Sequence, residues 1–420
     1  MINKKAIYLL FTANTISGFA QGISMIAIPW YIINIFAKAS FFGVLYGIVT
    51  FFTLFWGLYV GTLIDKYNRH KIFLLLSIVG GLILLTSSLT GYYTGSIHLF
   101  LVAMVFVSTY FIFTVYYPNL YAFAQEITER KNYGKITSYI EIQGQLTSMI
   151  SGGIAAVLLS GTVKGETNMI GFMIEFPFEI NKWELHEIFL MDAITYFIAF
   201  ILILFLKYKP VAKRETETGN VWYRLKAGLN YLKRNPLLFI FGNTSYAIFI
   251  TILVIIFFLT PVYINNHLKA GAGVYAVSDM CFAIGAVIAG VGISWIFKKV
   301  APVMGIIVMI AITAFIYFFY IFNTIILLFY LTYFLLGLCN SGTRIMRITY
   351  LFNHIPNDII GRAGSIFNMI NTLFRLLFIW LFSIPFFFEA DNIVYAYMIL
   401  GAFLFLSMIP LIYKYRALVK

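Results

Sequence analysis

Charged side chains are scarce: they make up 11% of the 420 residues, and Asp and Glu together number only 16. A soluble domain carries roughly 25% charged and 45–50% apolar residues. A chain that is 61% apolar, with a mean hydropathy of +0.91, lacks the polar groups to cover a water-facing surface. Cysteine is equally sparse. Cys281 and Cys339 are the two present, each among apolar neighbours, which excludes a disulfide framework and a cysteine-based metal site. Also missing are a Gly-rich phosphate loop with its lysine, a His, Cys or acid cluster at metal-ligand spacing, and a nucleophile constellation. The sequence therefore predicts neither an enzyme nor a bound cofactor.

Long apolar runs are abundant. Segments of about 20 residues, the length that crosses a hydrocarbon layer of roughly 30 Å, recur from residue 6 to residue 414. In lipid a helix satisfies its own backbone polar groups, so the expected class is an all-α membrane bundle. Breaks at polar, Gly or Pro clusters place twelve spans at 6–36, 40–64, 71–90, 97–124, 134–160, 188–206, 238–264, 271–297, 301–320, 324–346, 362–388 and 393–413. The first follows Lys4 and Lys5, but it is far longer than a signal-peptide apolar region and lacks a small-residue cleavage site. It is expected to be retained, and no soluble domain is expected at either end. The 44 Phe and 29 Tyr are read mainly as lipid-facing filler, since the chain is equally rich in Ile, Asn and Lys.

A net charge of +13 would suit nucleic acid if it covered one surface, but its placement says otherwise. With the N-terminus inside, 24 of the 29 Lys and Arg fall in inner segments. Lys38, Lys164, Lys182 and Lys269 fall in outer loops, and Arg375 lies within a span. This asymmetry follows the positive-inside rule. It predicts both termini in the cytoplasm, a lipid bilayer as the partner surface, and no nucleic acid.

Lys207 to Pro236 holds eight Lys or Arg and two Glu, with six spans on each side. Residues 207–237 thus read as a linker between an N-terminal half (1–206) and a C-terminal half (238–420). Within it, Trp222, Leu225, Leu229 and Leu232 recur at helical spacing among Arg224, Lys226, Lys233 and Arg234. That pattern predicts an amphipathic helix at the cytoplasmic surface, a disordered basic connector being the alternative. Gly134-Lys135-Ile136-Thr137-Ser138 opens the fifth span and Gly361-Arg362-Ala363-Gly364-Ser365 opens the eleventh. Both read G-(K/R)-x-x-S at the same place in their halves, as duplication of a six-helix unit would leave them.

The sharpest motif is Gly61-Thr62-Leu63-Ile64-Asp65-Lys66-Tyr67-Asn68-Arg69-His70-Lys71, between the second and third spans. It resembles the G-x-L-x-D-(R/K)-x-G-(R/K)-(R/K) loop of the major facilitator superfamily. Asn68 stands where that motif has its second glycine, a mild departure, because Asn also tolerates a left-handed backbone. The counterpart in the second half, Trp295-Ile296-Phe297-Lys298-Lys299, keeps little but its basic pair. Three further stretches are similar to the branch containing bacterial macrolide-efflux and siderophore-exporter proteins. They are Gly228 to Leu238 before the seventh span, Pro118 to Glu126 at the fourth-span exit, and His354 to Arg362 in the tenth loop. The chain departs from that branch at Gln21, where an acid is often found. It also lacks the fifth-span antiporter proline, keeping only the small residues Ser151 to Ala156, and the fourth-span arginine. Export and proton coupling are therefore implied by the resemblance alone.

The resemblance implies two pseudo-symmetric six-helix halves that rock about a central site, in a bacterial cytoplasmic membrane. It implies a monomeric transporter that exports an amphipathic small molecule against an ion gradient, H+ by expectation. The alternatives are an importer or a lipid or siderophore carrier, and a transporter-like sensor. Gly61, Asp65, Arg69, Glu126, Gly361 and Arg362 are expected to form a cytoplasmic gate, with Asp65 at the start of the eleventh helix and Arg69 paired to Glu126. Ionisable groups inside spans are costly and usually functional; they are Glu141, Asp192, Asp279 and Arg375. Glu141, beside Gln143 and Gln145, leads as coupling carboxylate, with Asp279 second. Asp192 matches an acid often seen at the outer end of the branch's sixth span and is read as structural. Asn14, Gln21, Gln145, Asn243, Tyr246 and Arg375 are expected to line a substrate cavity. The loop from Gly161 to Glu187, with five Glu, is either a lid or an insertion.

Overall fold

The computed structural model of the protein describes residues 3–129, 132–162, 166–169, 172–175, 177–209, 221–296 and 300–419. Among them, twelve helical stretches are long and apolar enough to cross a membrane. The chain divides into two compact units, Met1–Ala37 with Phe52–Thr218 and Lys38–Phe51 with Gly219–Lys420. The main division falls in the charged linker, whose residues 210–220 lie outside the described part. One exchange was not foreseen: the first half of the second spanning helix groups with the later part of the chain.

Unit 1 contains α1 (Lys4–Trp30), the later part of α2 (Ala39–Lys66), α3 (Arg69–Thr94), α4 (Leu99–Glu126), α5 (Tyr133–Ser160) and α6 (Leu185–Leu204). Small residues decide how closely these helices approach. A Cβ on Gly80 would lie 2.6 Å from the Tyr196 ring, and one on Gly91 would lie 2.5 Å from His186, so α3 seats against α6 only through glycine. Gly22 meets Ser151 in the same way where α5 crosses α1. Asn68 is extended, at φ −68° and ψ 118°, and its side chain accepts from the N–H groups of His70 and Lys71. It is an N-cap, not the left-handed residue the sequence suggested, because Asn offers the helix start an acceptor that glycine lacks. At the opposite end of the unit, Glu184 and Glu187 form a capping box that starts α6. Between α5 and α6, β1 (Glu166–Met169) and β2 (Phe172–Glu175) pair antiparallel. Their loop is anchored by Thr162 N–H to Ile180 O and Trp183 N–H to Leu158 O, both 2.8 Å.

Unit 2 contains α7 (Val221–Arg234), α8 (Pro236–Thr244), α9 (Ala247–Val254), α10 (Thr260–Asn266), α11 (Ala272–Ile296), α12 (Pro302–Phe319), α13 (Ile326–His354), α14 (Asn357–Phe382), α15 (Ile393–Tyr413) and α16 (Tyr415–Val419). The linker helix exists as α7. Its Leu232 is fully buried, and Gly228 lies so close to α14 that a Cβ would sit 2.5 Å from the Arg362 carbonyl oxygen. It is thus docked on a neighbouring helix through its apolar face. The side chains of Trp222 and Arg224, like Lys298 and Lys299, lie outside the described part. α11 and α13 cross at reciprocal glycines: a Cβ on Gly285 would be 2.0 Å from Phe334 O, and one on Gly337 would be 1.9 Å from Phe282 O.

Helix boundaries differ from expectation where proline or polar bonding intervenes. The eleventh span stops at Phe382 instead of residue 388, because Pro385 starts a separate 3-10 turn. The tenth continues to His354, so Arg344 and Arg347 lie within α13. The seventh is interrupted at Ser245 and Tyr246, and again by a π turn at Ile255–Leu259 just before Pro261. A matching π turn at Tyr31–Ile35 follows Pro29 in the first span.

The aromatic residues also need correction. Tyr263, Tyr275, Tyr317, Tyr320, Tyr333 and Tyr397 are among the largest fully buried side chains. Tyr263 donates to the carbonyls of Tyr320 (2.9 Å) and Asn323 (3.0 Å), and Tyr275 to that of Ile256 at 2.9 Å. Thr251 bonds the Tyr317 hydroxyl at 2.9 Å. These rings fill the interior of unit 2, where the hydroxyls of Tyr263, Tyr275, Tyr317, Tyr320 and Tyr333 find partners that a lipid-facing position would not supply.

Candidate functional site

At the end of unit 1 where α3 begins and α4 stops, polar side chains knit four segments together. Arg69 Nη1 donates to Glu126 Oε2 at 3.1 Å and to the Ala122 carbonyl at 3.0 Å. The second carboxylate oxygen of Glu126 accepts from Tyr208 at 3.3 Å. Asn119 Nδ2 donates to the Arg69 carbonyl at 3.0 Å. Asn3 holds the chain start by bonding Ile127 O and Lys209 O at 2.9 and 2.8 Å. The Arg69–Glu126 pair anticipated from the sequence is present, and both side chains are largely withdrawn from solvent, at 14% and 6% exposure. Gly61 has open space around it; the Asp65 side chain lies outside the described part. Removing one member of a buried pair strands the other, at a cost of about 3–5 kcal/mol. Arg69→Ala should therefore lower the thermal unfolding midpoint clearly, and adding Glu126→Ala should restore much of the loss. A single-variant midpoint equal to wild type would show the pair to be idle.

Unit 1 carries a groove of about 830 Å³ between α1 and α5. Phe11, Phe19, Leu146 and Ile150 supply apolar walls, and Thr15, Gln143 and Thr147 supply polar atoms. Gln143 Nε2 donates to the Phe11 carbonyl at 2.6 Å and also meets the Thr15 hydroxyl. The sequence placed the cavity polarity at Asn14, Gln21 and Gln145, and the groove does not include them. Asn14 is 7% exposed and shares a buried helix face with Ser17 and Ser24. Gln21 donates to the Tyr196 hydroxyl at 3.2 Å. One residue along an α-helix is a turn of about 100°, so a neighbouring position points into a different environment. Gln145 is half-buried. Glu141 is half-buried as well and accepts from Tyr121 of α4 at 2.8 Å.

In unit 2, Asn243 and Tyr246 line a smaller cavity of about 260 Å³, with Asn371, Phe374 and Phe403. The amide oxygens of Asn243 and Asn371 are buried there without a hydrogen-bond partner among the described residues. Arg375, one turn beyond Asn371, is half-buried and lies outside that lining. Asp279 is half-buried on α11, one turn from the buried Tyr275. Gly361 is exposed near the start of α14, and the Arg362 backbone is covered by α7.

A residue missed from the sequence is Arg347, which was assigned to the inner loop. It is 4% exposed, stacks 3.6 Å over the Tyr246 ring, and donates to the Ser245 carbonyl at 3.0 Å. It therefore holds the break between α8 and α9, where a cation complements the carbonyl end of α8. Its only sequence signal was an arginine one turn past Thr343 in an otherwise periodic helix.

The geometry is that of helical units carrying grooves of ligand size. No described group of three or more His, Cys, Asp or Glu could hold a metal. The fold has many solved counterparts. A nucleoside transporter, NupG, superposes with a TM-score of 0.69 at 12% identity, over 98% of this chain and 99% of that one. A D-xylose-proton symporter matches at TM-score 0.67 and 12% identity, with 96% of each chain covered. A bacterial homologue of the iron transporter ferroportin, in an inward-facing state, matches at 0.66 and 14%, over 97% and 98%. No curated protein sequence matches the chain. The Major Facilitator Superfamily profile matches residues 10–379, and with twelve candidate spans in that fold the chain belongs to the Major Facilitator Superfamily, as a multi-pass membrane transporter and not an enzyme.

Proposed function

We propose that the protein exports an amphipathic small molecule by alternating access, driven by an inward flow of protons, from a bacterial cytoplasmic membrane in which both termini face the cytoplasm. The observation that carries this reading is the groove of about 830 Å³ between α1 and α5. Its walls are mostly apolar, Thr15, Gln143 and Thr147 are among its few polar side chains, and Lys4 also lines it. Such a lining suits a ligand with an apolar body and one or two hydrogen-bonding groups, as in the macrolide-efflux and siderophore-exporter branch that the sequence resembles.

In this reading Asp65, Gly361 and Arg362 belong to a cytoplasmic gate braced by Arg69 and Glu126; because α14 starts at Asn357, Gly361 and Arg362 stand in its second turn, past the unpaired N–H groups of its start. Glu141 leads as the coupling carboxylate and Asp279 follows. Asn243 and Tyr246 add contacts from the second half, Arg375 attracts an anionic group of the cargo, and Asn14, Gln21 and Gln145 tune the polarity behind the groove. The protein works as a monomer. Labelled amphiphiles should accumulate in inverted vesicles given an acid interior, and a bulky Leu146→Trp should cut the rate by roughly tenfold, the effect of about 1.4 kcal/mol. Accumulation in right-side-out vesicles instead would establish an importer, and no movement under any gradient would favour a sensor.

A further inference from the structure

Asp192 is the most deeply buried acid among the described residues, at 0% exposure. It sits seven residues into α6, about 10 Å along the helix axis. Its Oδ2 accepts from Ser24 Oγ of α1 at 2.6 Å, and Ser24 is also fully buried. Its Oδ1 has no hydrogen-bond partner among the described residues. An ionised carboxylate with a single donor in such a place costs several kcal/mol, and no cation offsets it.

The surroundings bear this out. From its own helix, Tyr196 lies one turn away with its hydroxyl bonded by Gln21, and His186, Glu184 and Glu187 lie toward the helix start. His186 packs against Gly91 and Tyr92 of α3. On α1 the charged residues are Lys4 and Lys5, at its far end, with Tyr31 bonding Glu184 at the near end. α3 meets α6 from Gly80, opposite Tyr196, to Gly91, opposite His186, so Asp192 lies level with the interval between them. The charged residues of α3, Arg69, His70 and Lys71, are confined to its first turn. From α4, the nearby titratable group is Tyr116, within electrostatic reach of Tyr196. Among the described residues, no lysine, arginine or histidine is bonded to or paired with the carboxyl.

We propose that Asp192 and Ser24 form a proton-binding site inside unit 1. The Asp192 carboxyl carries a proton while α1 lies against α6. When that contact loosens, the carboxyl O–H bond breaks, its electron pair stays on oxygen, and the proton passes to an entering water. Reseating reverses the step. The site is separate from the coupling role proposed for Glu141, and its existence does not depend on what the protein carries or in which direction.

Infrared spectroscopy of the purified full-length chain in lipid tests this without a substrate. The difference between wild type and Asp192→Asn at neutral pH should show the carbonyl stretch of a protonated carboxylic acid. Ser24→Ala should move that band by removing its hydrogen bond, and Glu141→Gln should leave it in place. In heavy water the deuterium shift should develop slowly. Tyr31→Phe, which removes the bond from Tyr31 to Glu184 (2.9 Å) that ties α1 to α6, should speed it roughly tenfold, as loss of a charge-assisted bond implies. If Asp192→Asn does not assemble, Asp192→Glu should retain the acid band at a changed frequency. Carboxylate bands alone in the difference spectrum, or an acid band that both Asp192 variants leave unchanged, would overturn the proposal.

Discussion

Gly337→Leu should leave little folded protein, whereas Gly290→Ala on the neighbouring α11 should behave as wild type. The difference lies in what a new side chain would meet. At Gly337 even a Cβ would stand 1.9 Å from the Phe282 carbonyl oxygen and 2.8 Å from its carbon, which are backbone atoms of α11. The reciprocal contact at Gly285, 2.0 Å from Phe334 O, fixes the crossing from the other side. No rotamer change relieves either clash, so the two helices must separate along their length. Overpacking a core ordinarily costs about 1–3 kcal/mol, and a clash with backbone belongs at or above the top of that range. At Gly290 nothing lies within 4 Å of the added carbon. Monodisperse yield and thermal unfolding midpoint report the outcome, and equal midpoints for the two variants would show that the α11–α13 crossing is not tight.

Glu141→Gln should retain substrate exchange and lose proton-driven accumulation. The substitution is discriminating because Gln keeps an acceptor for the Tyr121 hydroxyl, now 2.8 Å from the carboxylate, and removes only the charge and the titration. A purely structural Glu141 would then be replaced almost silently, with both accumulation and pH dependence intact. Asp279→Asn, measured in parallel, assigns the role within unit 2. If both variants accumulate substrate with wild-type pH dependence, coupling uses another ion or none. Counterflow exchange in the same vesicles separates lost coupling from lost binding, since exchange needs no proton.

Much of the architecture was legible because a bilayer leaves few choices. Twelve apolar runs of spanning length and a charge asymmetry between alternate loops fix the class and the sequence of elements, and the charged linker marks the main division. Side-chain environment was far less legible. Asn68 looked like a substitute glycine until its amide oxygen was seen capping α3, since an extended cap and a left-handed turn favour overlapping residues. Arg347 was hidden by helix length: α13 outlasts its apolar run, and the Tyr246 ring beneath it together with the Ser245 carbonyl makes a buried guanidinium tolerable. The tyrosines read as filler because a ring at helical spacing is compatible with lipid and with core alike. Thr251 and the carbonyls of Ile256, Tyr320 and Asn323 decide the matter, and they come from distant parts of the chain. In the same way Thr15 and Gln143 face the groove while Asn14 and Gln145 do not, a distinction of single-residue phase that composition does not carry.

The π turns at Tyr31–Ile35 and Ile255–Leu259 set the phase of whatever follows them. A π turn fits one more residue into a helix than regular α geometry would. The first begins two residues after Pro29 and closes its span, and the second ends two residues before Pro261, with the seven residues of α10 still to come. Deleting one residue from either turn should consequently turn everything beyond it by about 100°, carrying Tyr263 in the second half away from Tyr320 and Asn323.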